Sequence, residues 1–264
     1  MTLDLRLPPR GRSRLAGLAL ALAWFSILVT GCSAVLLRTH AVEAAAGFSV
    51  FLAGLTLAAL AALVGVAAMV SVWVGGRRGG VRAFFAVVLA GAVLAGPAYV
   101  AARNLTGRAT DDVSTDLADP PRFDRAGAQR DPGDRPAPGP AIAPEMAALQ
   151  RAAYPDLAPL RIALAPEDVA NLALGLVESR GWRIVGPTAF PRGGPPTGRI
   201  EAVAPTPLLR LRDVVTIRVR PDGDGAKVDM RSASRLAGID FGANADRIRL
   251  FLADLAAAAA NAAP

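Results

Sequence analysis

Cysteine, histidine and lysine, three residue types that often carry chemistry, are almost absent from this chain of 264 residues. It holds one of each: Cys32, His40 and Lys227. One cysteine excludes an intrachain disulfide, and one Cys with one His, both among the first 40 residues, cannot assemble a zinc site. The second half has neither residue, so Ser–His and Cys–His nucleophile schemes are excluded there. No metal or cofactor is expected. A basic surplus on the polar half is also missing. Residues 1–102 carry eight Arg against Asp4 and Glu43, a surplus of six, whereas 103–264 carry 21 basic and 20 acidic residues. A nucleic-acid footprint requires the reverse distribution, so no nucleic-acid partner is expected. Arginine in place of lysine, together with abundant alanine, suggests a bacterial genome rich in G and C.

What the chain has in excess is apolar length. Hydrophobic residues make up 53% of it, and three runs, at 15–37, 48–74 and 81–102, each exceed the ~20 residues a membrane-crossing helix needs. Arg6, Arg10, Arg12 and Arg14 precede the first run, and Arg77, Arg78 and Arg82 lie at the connection between the second and third. By the positive-inside rule both flanks are cytoplasmic and the polar half emerges outside. The expected location is the bacterial cytoplasmic (inner) membrane, with a periplasmic or extracellular C-terminal domain. The spans hold no ionisable group that would mark a transport path. Gly54, Ala58 and Ala62, with Ala61 and Gly65 one row over, form small-residue stripes suited to close helix contact, within the chain or between copies. Gly96 and Pro97 predict a kink or a frayed end. Val29, Thr30, Gly31 and Cys32 resemble a lipobox, but the apolar run continues to Leu37 and two more follow, so a small Cys without lipidation is the expectation.

Residues 103–145 read as a Pro/Gly-rich linker, a mobile tether in which Asp111, Asp112, Asp116 and Asp119 are solvated; the calcium-loop spacing is missing. Residues 146–264 read as a soluble α+β domain. Pro166, Glu167 and Asp168 start a helix carrying Val169, Leu172, Leu176 and Val177 at helical spacing, and Gly181 ends it. Strands follow from Trp182, over 199–204, over 214–220 and over 227–234, with a loop at 191–196 and a turn at 222–225. A last helix begins near Asn244. This order predicts an antiparallel sheet with two helices on one face and the polar face left open.

Several spaced motifs carry a resemblance: GRIEA at 198–202, DVVTIRVRP at 213–221, VDMRSASR at 228–235 and DFGANADRIR at 240–249, with STDLADPP at 114–121 and YPDL at 154–157 upstream. In these the chain resembles the domain-of-unknown-function 1499 family, including its membrane-anchored bacterial members. Arg212 and Ala237 depart from its usual residues. The resemblance implies the fold and brings no activity with it.

The candidate site follows from polar density. Glu201, Arg218, Asp229 and Arg231 share one sheet face, and Ser234, Arg235, Asp240, Asn244 and Arg247 cluster at its end. Arginine forks and helix N-terminal amides there suit a phosphate, a lipid headgroup or another anion. The same residues also suit a lattice in which Asp229 and Glu201 pair across strands with Arg218 and Arg231, while Asp240 or Asn244 caps the helix. Near-equal numbers of acids and arginines favour the lattice. No catalytic set is evident, so a binding or protein-interaction module, with a membrane or periplasmic protein partner, is the reading, and a hydrolase or an anion site is the alternative.

Overall fold

The computed structural model describes residues 11–103, 110–128, 130, 133–186, 198–236, 240 and 242–262. Its contacts divide the chain into two compact units, 1–42 with 46–102 and 103–264 with 43–45. The first unit comprises α1 (Arg14–Arg38), α2 (Ala44–Gly75) and α3 (Gly80–Arg103). All three are long and apolar enough to cross a membrane. Ser13 starts α1 by accepting the Ala16 N–H. Small residues fill the interior, among them Ala19, Ala23, Ala61, Ala86 and Ala90, while Trp24, Phe25, Leu63 and Phe84 face outward. Such inverted packing suits a lipid solvent, in which large apolar side chains gain nothing by hiding.

The small-residue stripes serve contacts within the bundle. A Cβ on Gly54 would overlap the Thr30 hydroxyl and lie 3.0 Å from the Thr30 nitrogen, and one on Gly65 would lie 2.7 Å from the Val87 side chain. Pro97 sits inside α3, which continues to Arg103, and Cys32 is exposed in the unbroken α1.

The second unit is an α+β domain. In chain order it has β1 (Asp112–Ser114), α4 (Arg125–Ala128), α5 (Pro144–Ala153), β2 (Leu160–Ile162), α6 (Pro166–Ser179), β3 (Arg183–Ile184), β4 (Gly198–Pro205), β5 (Arg212–Asp222), β6 (Gly225–Ser234) and α7 (Ala243–Ala262). The strands form one antiparallel sheet of order β1-β6-β5-β4-β3, with β2 sharing the outer edge of β6 with β1. Two residues, Gly223 at φ +58° and Asp224, close the β5–β6 hairpin, which is why glycine stands there.

Helices α6 and α7 cover one face. Val169, Ala173 and Val177 of α6 and Ile248, Phe251 and Leu255 of α7 meet the inward set Ile200, Ala202, Val215, Ile217, Val219, Val228 and Met230. Trp182 stacks on Phe251 at 5.5 Å, and the Arg180 guanidinium lies over both rings.

The second face is covered, contrary to the expectation of an open polar surface. Phe123 and Ala126 pack on Val185, Val203, Val214 and Ala233 there. The acids expected to be solvated reach its arginines, because a face carrying Arg218, Arg220, Lys227 and Arg231 attracts the nearest carboxylates. The strands β1 and β2 and the helices α4 and α5 are likewise additions to the predicted order. The predicted loop at 191–196 and Ala237 lie outside the described residues.

Candidate functional site

The nine candidate residues fall into two buried clusters on opposite faces, with Arg235 at the end of the sheet. On the second face Arg231 is wholly buried. It holds Asp112 with both ends of its fork, at 2.8 and 2.6 Å, donates to the carbonyls of Pro121 and Gly139, and lies 5.0 Å over the Phe123 ring. Arg218 donates to Asp229 at 3.2 and 2.9 Å, to the Asp119 carboxylate at 3.0 Å and to the Asp119 carbonyl at 2.7 Å. Arg220 adds a 2.7 Å bond to the same Asp229 oxygen. The other oxygen of Asp229 has no hydrogen-bond partner among the described residues, and the Lys227 ammonium stands 3.6 Å from it. Burial raises the Asp116 carboxyl, but hydrogen bonds from Asp119, Lys227 and Ala118 outweigh it and hold the group below its ordinary value.

Glu201 does not pair with Arg231. In the sheet Thr216 lies between them, and two strand spacings, about 10 Å, separate the pair. Its carboxylate instead accepts the main-chain N–H groups of Asp124, Arg125 and Ala126 at 3.2, 3.0 and 2.8 Å, capping α4 from the strand beneath it. Arg235 serves the other end of that turn. It donates to the Ala126 carbonyl at 2.9 Å and pairs with Asp134 at 3.0 Å. Burial lowers the Arg235 pKa, with Arg183 and Arg212 adding to the effect against the pull of Asp134.

The other cluster lies under the first turn of α7, on the helix-covered face. Asn244 accepts from Ser232 and Arg247, both at 2.6 Å, and donates to Ser234 at 2.9 Å and to the Asp111 carbonyl at 3.3 Å. Arg247 also bonds Ser232 at 2.8 Å and Asp213 at 2.6 Å. Asp240 accepts the Asn244 main-chain N–H. Burial raises the Asp213 carboxyl despite Arg247, and burial followed by the charge of Asp213 pushes Asp240 up to about 7.

Asp213, Asp112, Asp116 and Asp119 are members that sequence reasoning missed. For Asp213 a signal existed, since it opens the inward series 213, 215, 217, 219 and so places a carboxylate on the core side. Among the described residues no group of three or more His, Cys, Asp or Glu could hold a metal ion.

Both clusters lie within the reach of a family. A family model described as "Protein of unknown function (DUF1499)" matches residues 112–255, more than half the chain. The chain belongs to this family. The match runs from the first residue of β1 to the last turns of α7, so it includes the covering acids Asp112, Asp116 and Asp119 as well as the sheet arginines. No curated protein and no solved structure matches the chain.

Proposed function

We propose that this is a protein of the bacterial cytoplasmic membrane whose C-terminal domain faces the periplasm or cell exterior and works as a non-enzymatic binding or protein-interaction module. One observation carries the reading. The arginines and acids that could have formed a site are spent on each other and on main-chain groups, as Arg231 shows with four hydrogen bonds to Asp112, Pro121 and Gly139. An anion site keeps its guanidinium donors for the ligand, whereas paired charges hold a scaffold together. The lattice therefore serves to present an outer surface.

The anion-site reading makes a different prediction for heat. Phosphate or anionic lipid headgroups that bind the folded state raise its melting temperature. For the detergent-solubilised chain we expect no rise with phosphate or with phosphatidylglycerol added to the micelles. A rise of several degrees that disappears in Arg247→Gln or Arg235→Gln overturns the module reading in favour of an anion site.

A further inference from the structure

The cluster under α7 holds one more acid than it pairs. Asp240 and Asp213 are 5% and 2% exposed. Arg247, the one guanidinium hydrogen-bonded into this cluster among the described residues, gives one amino group to Asp213 and the other to Ser232 and Asn244. Among the described residues Asp240 is left with a single donor, the main-chain N–H of Asn244, at 3.1 and 3.2 Å from its two oxygens. One amide dipole does not offset the desolvation of a full charge. It suffices for a neutral carboxyl group.

We propose that Asp240 is a proton-operated latch on the start of α7. With its carboxyl neutral, the first turn stays seated on the sheet through Asn244 and Arg247. When the proton leaves, the surplus buried charge loosens that turn. The surroundings drive the proton on. Asp213 on β5 and Asp111 before β1 are acids that raise the cost of a second charge. Ser232 and Ser234 of β6 and Asn244 of α7 are neutral. Tyr154, at the end of α5, stays neutral because burial and the charge of Asp240 raise its pKa. Asp246 of α7 is a further acid, bonded to Arg249 at 3.0 Å. Arg249 stacks 5.3 Å over Tyr154 and is committed to Asp156 and Asp246, while Arg235, which faces Asp213, is committed to Asp134. No free cation answers Asp240 among the described residues.

The sign follows from linkage. Released from the sheet, Asp240 returns to the ordinary value of 3.8, against about 7 when docked. Between those values the docked state keeps a proton that the released state has lost. Docking is therefore tightest in acid, weakens by up to about tenfold per pH unit as pH rises, and levels off above 7. A domain built this way tightens its last helix in an acidic surrounding and slackens it at neutrality.

Amide hydrogen exchange on the full chain in detergent micelles tests the latch, at pH 5.5 and 7.5 with labelling times scaled for intrinsic exchange. Peptides covering 242–252 in the wild type are expected to lose more than about tenfold in protection at the higher pH. In Asp240→Asn, which keeps an acceptor for the Asn244 N–H, the two pH values should agree within about threefold. Equal protection of the wild-type peptides at both pH values overturns the proposal, and so does an undiminished loss in the variant. Should the variant fail to fold, the wild type still decides. Loss confined to the start of α7 supports the latch, and loss spread evenly over α6 and β4 overturns it.

Discussion

Arg231 donates four hydrogen bonds to three separate segments and stacks over Phe123, and this saturation lets so polar a side chain sit in the interior at no exposure at all. Lysine could not replace it, because a single ammonium cannot grip both Asp112 oxygens along the fork or lie flat on the ring. Arg231→Met removes the cation and leaves Asp112 facing a sheet with one charge missing. Breaking a buried pair from one side costs about 3–5 kcal/mol, and Asp112 keeps a partial route to water, so the lower end, about 3 kcal/mol, is expected. Thermal melts of the detergent-solubilised chain should show a drop of several degrees. The double variant Arg231→Met with Asp112→Asn should recover part of it, since neither partner then holds an unanswered charge. A double variant that melts below the single one would mean that Asp112 has other work. The Asp240 carboxyl predicts the opposite. Asp240→Asn should match the wild type near pH 4, exceed it by a margin that grows as the pH rises toward 7, and hold that margin above, because over that window the wild type alone must take up on folding a proton that its unfolded chain has lost.

The helix α4 has only four residues, and Glu201 holds its N–H groups at one end while Arg235 holds the Ala126 carbonyl at the other. Glu201→Gln keeps the shape and removes the charge, and three N–H groups then share one weaker acceptor. We expect a loss of about 1–2 kcal/mol, with faster amide exchange over 123–128 and little change in α6. In the first unit, Gly54 sets the approach of α1 to α2, and Gly54→Val, which would drive a branched side chain into Thr30, should lower the melting temperature and expose that helix pair to protease. Such elements also show what could be read in advance. The long strands β4, β5 and β6 and the helices α6 and α7 declare themselves through period-2 and period-3.6 alternation of apolar and polar residues over eight or more positions. The strands β1 and β2 do not, because three residues carry no period and both exist only as partners to the outer edge of β6. Gln150 of α5 bonds both the N–H and the C=O of Ser114, standing in for a strand on the far side of β1, and no sequence pattern announces that. The covering acids were visible as residues and misplaced as a tether, since prolines that forbid a helix or a ladder equally suit a segment laid flat across a sheet. The polar candidates could be named from the sequence, but their pairing could not: Glu201 finds amides and Arg231 finds Asp112, contacts set by residues 75 to 119 positions away.

For the whole molecule, the decisive asymmetry is between the apolar residues 1–102, with a surplus of six positive charges, and residues 103–264, whose charges nearly cancel. The structure of the first unit bears on how that surplus is used. The Ser13 N–H donates to the Arg78 carbonyl at 2.9 Å, and the Arg78 N–H donates to the Gly11 carbonyl at 3.1 Å. The start of α1 and the α2–α3 connection therefore lie at the same end of the bundle, which puts Arg12, Arg14, Arg77, Arg78 and Arg82 at that end. The α1–α2 connection, with Arg38 and Glu43, and the end of α3 lie at the other. A membrane that retains short arginine-rich flanks on its cytoplasmic side should thus orient all three helices consistently and leave the second unit outside. The proposed orientation predicts that alkaline phosphatase fused after residue 102 is active, as it is when fused after residue 40, while the same enzyme fused after residue 76 is inactive and a fluorescent protein at that place glows. Charge is the stated cause, so it should also be the lever. Replacing Arg77, Arg78 and Arg82 with Ser, and placing three Arg after residue 40, should lower the phosphatase signal of the 102 fusion severalfold. An unchanged signal in that variant would show that something other than arginine holds the molecule in place, and an inactive fusion after residue 102 in the unaltered chain would put the second unit in the cytoplasm.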